Sequence, residues 1–293
     1  YHSTANTPQQ VTLHNREGEI IRTLEDNSGL KDTIRKYGFT DKEFLSISTP
    51  SSQYELNAYM IKPPGFDPDR QYPLFMYLYG GPDSQQVTDR WGSRLAWFQM
   101  LAQRGYVIAV VDNRGTGARS QHFKKMTYGQ LGKYETIDQI EAAQYFGDQP
   151  YIDASRIGIF GWSYGGYMSS NCLFQGNETF SMAIAVAPVT NWRYYDTIYT
   201  ERFMGLPQNN PDGYDDNSPI NHVEGLKGDY LLIHGTGDDN VHVQNSMELA
   251  EELVQADKQF EMQFYPDKNH GIYGGNTTFH LYTRMTEFIE ENL

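Results

Sequence analysis

The sequence holds one cysteine, Cys172, in 293 residues. A lone thiol closes no internal disulfide and supplies no cysteine-ligated zinc site, which excludes both the disulfide-stapled scaffold and the zinc ribbon. No apolar run approaches the roughly 20 residues that a transmembrane helix needs, so no membrane span is expected. Basic residues are also scarce: 23 Lys and Arg face 37 Asp and Glu, for a net charge of -14. A surface of that sign repels phosphate backbones, and nucleic acid is excluded as a partner. The H-E-x-x-H, G-x-x-x-x-G-K-[ST] and G-x-G-x-x-G patterns are all missing, so zinc-protease, NTPase and dinucleotide chemistry have no support; no metal and no cofactor is expected. The first residues, Tyr1-His2-Ser3, contain neither an initiator Met nor a basic and apolar leader, and the expectation is that residue 1 is not a natural start.

What is present is a globular composition with 39% hydrophobic residues and a surplus of tyrosine, 22 in all. The length suits one large α/β domain. Tyrosine at that level suits a pocket needing flat apolar faces with polar tips, or equally a set of half-buried surface rings.

Two apolar segments near the start, Val11–His14 and Ile20–Leu24, flank Asn15-Arg16-Glu17-Gly18 and predict a β-hairpin. A lone hairpin is marginal in water. Residues 1–35 are therefore expected to be a remnant of an upstream β-domain with its linker, and residues 36–293 the main domain. Within the latter, residues 44–48 and 56–61 predict an antiparallel pair. Short near-continuous apolar runs follow at 74–79, 107–111, 157–160, 183–186 and 230–233, the signature of strands buried on both faces of a parallel sheet. A sixth run, 260–265, alternates with polar residues and is expected nearer an edge. Helical spacing between them, at 94–103, 135–146, 246–256 and 279–292, makes the fold class α/β: a doubly wound, mostly parallel sheet with helices on both faces. The segment 209–213, Asn-Asn-Pro-Asp-Gly, reads as a surface loop.

The strongest chemical signal is Gly161-Trp162-Ser163-Tyr164-Gly165-Gly166, a G-x-S-x-G placed between a strand and a helix. By composition alone it would arise roughly 0.14 times in such a chain, so placement carries the weight. The glycines flank a serine held on a sharp strand-to-helix turn, which assigns Ser163 as a nucleophile and the chain as an α/β-hydrolase. A serine hydroxyl needs a histidine base and a carboxylate to orient it, following in the chain order serine, acid, histidine. Asp238 and Asp239, after the strand at 230–233, are the candidate acids. His270, after the last strand, is the candidate base. Of the others, His234 reads as a hydrogen-bonded core residue, His242 lies too close to the acids, His280 faces solvent, and His2, His14, His122 and His222 fall too early in the chain. The Tyr164 amide is the expected first oxyanion donor; the Tyr79 hydroxyl is a candidate second, or a ring packed at a strand end.

Four strings go further: Gly161–Tyr167, Val186–Asp196, Tyr199–Pro207 and His234–His242. Together they resemble the catalytic domain of the prolyl oligopeptidase family of serine peptidases, in its dipeptidyl peptidase IV branch. The resemblance covers the chain from about residue 20 onward. It implies a triad of Ser163, Asp238 and His270, with Asp238 preferred as the first aspartate of Asp-Asp-Asn. It implies Tyr79 as the second oxyanion donor and a pocket for the residue before the scissile bond built from Tyr164, Val189, Trp192, Tyr195, Tyr199 and Val241. Asn240 would bond a substrate carbonyl. The implied activity is release of N-terminal dipeptides from peptides with proline, or less well alanine, at the second position. Sibling activities (tripeptidyl, acylaminoacyl, endo-acting), an esterase, and a non-catalytic interaction protein are the alternatives. Family members place a β-propeller ahead of this domain and hold the substrate amine with a pair of its glutamates. A propeller of about 300 residues does not fit here, so no glutamate of this chain is assigned that role. The resemblance further implies a possible homodimer, with the C-terminal helix as candidate surface, and a location in the bacterial periplasm, cell envelope or extracellular space.

Overall fold

The computed structural model describes residues 1–293. Eleven strands run in chain order: β1 (His2–Thr4), β2 (Thr7–His14), β3 (Ile20–Glu25), β4 (Lys42–Ile47), β5 (Leu56–Ile61), β6 (Tyr72–Leu78), β7 (Val107–Asp112), β8 (Ile152–Trp162), β9 (Met182–Val186), β10 (Asp229–Gly235) and β11 (Glu261–Tyr265). The α-helices are α1 (Ser28–Lys36), α2 (Leu95–Gln103), α3 (Gln121–Lys125), α4 (Lys133–Gly147), α5 (Tyr164–Gln175), α6 (Thr197–Met204), α7 (Pro211–Asp215), α8 (Gln244–Gln255) and α9 (Thr277–Asn292).

The central sheet has eight strands in the order β11-β10-β9-β8-β6-β7-β5-β4. The six from β11 to β7 are parallel, and β5 and β4 close the far edge antiparallel. This is the expected doubly wound α/β-hydrolase fold. Its apolar runs are buried on both faces because helices cover both: every residue of β6, β7 and β9 is buried. The run expected at 260–265 forms the edge strand over Glu261–Tyr265, with only Tyr265 buried. One face carries Tyr167, Met168 and Leu173 of α5 with Ala142, Ala143 and Phe146 of α4. The other receives Trp97 and Phe98 of α2 with Leu281, Met285, Phe288 and Ile289 of α9. The apolar stripe of α9 is thus spent on the chain's own sheet.

The N-terminal hairpin gains a third strand, forming a separate sheet β1-β2-β3. All six residues of β3 are exposed, Ile20, Ile21 and Leu24 among them. Residues 209–213 depart from expectation: Pro211 opens α7 rather than lying in a loop, and Tyr214 of the same helix is buried, its hydroxyl donating to Gly205 O at 2.7 Å. Proline's fixed φ and missing N–H suit the first helical position, which the turn-rich composition concealed.

Candidate active site

Parallel strands bring their C-terminal ends to one rim of the sheet, where ligands of such folds bind. Four segments supply the candidate residues there: Tyr79 follows β6, Ser163 joins β8 to α5, Asp238 follows β10 and His270 follows β11. Tyr79, Ser163, Tyr195, Asn240 and His270 line one cleft of about 770 Å³.

Ser163 has φ 61 and ψ -118, a conformation that a side-chain-bearing residue avoids. The surroundings impose it. The Ser163 N–H donates to Val186 O of β9 at 2.8 Å while α5 begins at the next residue. A methyl group on Gly161 would stand 2.0 Å from the Gly165 carbonyl oxygen, and one on Gly165 would stand 2.4 Å from Leu78 O. Only glycine lets the turn close this tightly, which is the physical content of the sequence pattern. The turn presents Ser163 to the cleft, and α5, whose first N–H groups have no partner within the helix, begins at Tyr164.

His270 Nδ1 donates to Asp238 Oδ2 at 2.7 Å. The other carboxylate oxygen, Oδ1, accepts the Asn240 and Val241 N–H groups, both at 3.0 Å. His234 Nε2 approaches Oδ2 at 3.3 Å. Burial works to raise the Asp238 pKa, but hydrogen bonds from His234 and His270 outweigh it and hold the carboxyl well below the usual carboxylate range. Asp239 is exposed, and the carboxylate contact to His270 belongs to its neighbour. His234 is buried as expected: Nε2 lies 2.8 Å from Val241 O and Nδ1 2.6 Å from Ser246 Oγ. A carbonyl can only accept, so Nε2 carries a proton and Nδ1 accepts from Ser246. The His270 loop is anchored in turn by Trp162 Nε1, which donates to the His270 carbonyl at 2.9 Å.

Tyr195, which lines the cleft, and four residues behind it, Val189, Trp192, Tyr199 and Val241, pack with Tyr164 as an aromatic and apolar box. Trp192 stacks on Tyr199 (centroids 5.9 Å, 22°), meets Tyr195 edge-on (5.9 Å, 78°) and lies 5.4 Å from the Tyr164 ring. Val189 and Val241 are buried in the same core cluster as Tyr164 and Trp192. Local capping sets the box. Asn191 caps the short turn Trp192–Tyr194 by accepting from Arg193 N–H, and Asp196 caps α6 by accepting from Tyr199 N–H. The Tyr195 hydroxyl donates to Asn240 Oδ1 at 2.7 Å, which fixes the amide and leaves its NH2 group as the donor available to a ligand. Tyr79 sits 6.0 Å from the Tyr164 ring, and burial raises its pKa, so the hydroxyl stays protonated.

Two site features escaped the sequence reading. Glu135 of α4 is fully buried and its Oε1 accepts the Tyr164 hydroxyl at 2.7 Å; burial pushes its pKa up to about 8. Arg94 lines the cleft that holds Ser163. Nothing in local periodicity marks either one.

The sequence profile of the prolyl oligopeptidase family matches residues 91–293. The crystal structure of Porphyromonas gingivalis dipeptidyl peptidase 4 is 51% identical at a TM-score of 0.96, covering 100% of this chain and 41% of that one. A Coccidioides posadasii protein named "Probable dipeptidyl-aminopeptidase B" is 42% identical over 93% of this chain and 30% of its own length. The prolyl endopeptidase FAP of Mus musculus is 43% identical over 96% of this chain and 37% of its own. The chain thus spans well under half the length of these relatives, and with its matched profile and geometry it belongs to the prolyl oligopeptidase family.

Proposed function

We propose that this chain is the catalytic domain of a serine peptidase that releases N-terminal dipeptides from peptides with proline at the second position, and less well with alanine. The observation that carries the reading is the 2.7 Å contact of Asp238 with His270, which lines the same cleft as Ser163. With Nδ1–H donated to Asp238, the His270 imidazole offers Nε2 as the acceptor for the Ser163 proton. Serine Oγ then bonds to the prolyl carbonyl carbon, and the oxygen's developing charge is received by Tyr164 N–H and the Tyr79 hydroxyl. His270 returns the proton to the departing amine as the peptide bond breaks. Water repeats the sequence on the acyl-enzyme, freeing the dipeptide and restoring Ser163.

Selectivity follows from the box of Tyr164, Val189, Trp192, Tyr195, Tyr199 and Val241. A proline ring is compact and has no N–H to satisfy, so flat apolar walls favour it over larger or polar side chains. The Asn240 NH2 group is set to bond a carbonyl of the substrate. Residues 1–35 are proposed to belong with an upstream domain that receives the exposed apolar face of β3, and that domain is proposed to hold the substrate amine.

The test is release of a chromophore from a Gly-Pro amide by the full-length protein, with loss of the activity in Ser163→Ala. Retained activity in that variant sinks the assignment. The name of the mouse relative supports a second reading, endo-acting cleavage after proline. Equal hydrolysis of N-blocked and free Gly-Pro amides would replace the dipeptidyl reading with that one.

A further inference from the structure

The cleft that holds Ser163 extends beyond anything a dipeptidyl group needs. Its lining includes Gln85, Gln86, Arg94, Trp162 and Tyr282, none of which belongs to the aromatic box. In a chain of net charge -14, the lining of this cleft contains no Asp or Glu, and Arg94 is its one arginine or lysine.

Arg94 is held but unpaired. Its guanidinium carbon lies 5.0 Å from the centroid of the Tyr77 ring, which fixes the group against the end of β6. No carboxylate of the chain lies within ion-pair distance of it. Its Nε is closed off from solvent, so the terminal NH2 groups are the donors a ligand can meet. The two terminal NH2 groups of a planar guanidinium match a carboxylate in two parallel hydrogen bonds.

We propose that Arg94 forms a binding subsite for a carboxylate of the peptide on the leaving side of the scissile bond. The inference rests on the peptidase reading above. The aromatic box takes the residue that Ser163 acylates, so the departing peptide lies along lining outside the box, where Arg94 sits. A carboxylate there comes either from the C-terminus of a short substrate or from an acidic side chain, and Arg94 reads the charge common to both.

The experiment measures kcat/KM of the full-length protein for Gly-Pro-Ala with a free C-terminus against its C-terminal amide, and for Gly-Pro-Glu-amide against Gly-Pro-Gln-amide. The expected ratio in the wild type is about tenfold in favour of the charged member of at least one pair, the scale of one charge-assisted contact. The pair showing it identifies which carboxylate is read. Arg94→Gln is expected to bring that ratio to one, and Arg94→Lys to keep part of it. A ratio of one in the wild type for both pairs overturns the proposal. So does an Arg94→Gln variant with an unchanged ratio, or one that loses activity equally on both members of a pair. Ser163→Ala serves as the separate control: turnover in that variant overturns the peptidase reading itself.

Discussion

The Tyr164 hydroxyl donates to Glu135 Oε1 at 2.7 Å inside the molecule, tying the residue after the elbow serine to the first turn of α4. Tyr164 has two duties in the proposed site, its amide as an oxyanion donor and its ring as a wall of the box. Glu135 holds the ring from behind. Both groups are fully buried, and burial raises the pKa of each, with the charge of Glu135 adding to the rise at Tyr164.

That burial makes Glu135 a source of pH-dependent stability. Its pKa is pushed from 4.5 to about 8 in the folded chain, so between those values the folded state holds a proton that the unfolded state releases. The contribution is complete below about pH 4.5 and is lost as pH rises through about 8, at up to roughly 1.4 kcal/mol per pH unit. The groups facing Glu135 are Tyr164 and Tyr167 of α5, Tyr199 of α6 and Asp138 of its own helix, none of them a cation. Glu135→Gln keeps an acceptor for the Tyr164 hydroxyl and removes the titration. Thermal melts at pH 5 and pH 8.5 are expected to show the wild-type Tm falling further than that of the variant; parallel falls would refute the assignment.

Asp238 has the opposite sign. Its pKa is depressed, so its stabilising effect is present above the unfolded value of 3.8 and is lost as pH falls below it. Asp238→Asn replaces the acceptor facing His270 Nδ1 with an amide that can present its NH2 instead, favouring the wrong tautomer. The expected result is a loss of about four orders of magnitude in kcat on a Gly-Pro amide with a far smaller change in KM. A loss under tenfold would remove Asp238 from the proposed triad. Asp239→Asn is expected to stay within a fewfold of wild type.

Much of this architecture was legible in the chain. Continuous apolar runs announced strands covered on both faces, and chain order placed Ser163, the pair Asp238 and Asp239, and His270 after β8, β10 and β11. The box was legible only through resemblance, because Tyr164, Val189, Trp192 and Tyr199 meet across four segments that share no local pattern. Helix α4 was legible as a helix from its spacing at 135–146, but the burial of its polar residues was not. Its first turns read as a polar surface, Lys-Tyr-Glu-Thr-Ile-Asp-Gln, yet Glu135, Thr136, Asp138 and Gln139 are all buried. Their partners come from distant segments: Tyr164 for Glu135, and Arg114, 2.6 Å away, for Asp138. A charge buried against a remote partner looks the same in sequence as one facing water.

The elbow glycines make a prediction that separates folding from chemistry. A methyl at Gly165 would lie 2.4 Å from the Leu78 carbonyl oxygen and 3.3 Å from the Tyr79 Cα, both backbone atoms at the end of β6. Backbone cannot move aside as a flexible side chain can, so Gly165→Ala must push α5 away from the sheet. Overpacking of this kind costs about 1–3 kcal/mol or more. The variant is expected to melt several degrees lower and to lose labelling by a fluorophosphonate serine probe, while Ser163→Ala loses the label with an unchanged melt. Wild-type labelling in Gly165→Ala would show that the turn tolerates the methyl.

Tyr79 isolates the second oxyanion donor. Its ring packs against Tyr164, while desolvation raises its pKa and keeps the hydroxyl a donor through the neutral range. Tyr79→Phe retains the ring and removes only the O–H, so packing beside the box is preserved and no buried acceptor loses a partner. A donor aimed at charge that develops after the ground state acts on the barrier more than on substrate binding. The expected outcome is therefore a fall of about 10²–10³ in kcat on Gly-Pro amides with KM changed by less than a fewfold. A substrate-like binder without an electrophilic carbonyl should bind the variant as it binds wild type, whereas an aldehyde inhibitor that forms a tetrahedral adduct with Ser163 should weaken in proportion to kcat. If KM rises while kcat holds, the hydroxyl contacts the bound substrate in its ground state, and the oxyanion site is left with the Tyr164 amide as its one proposed donor.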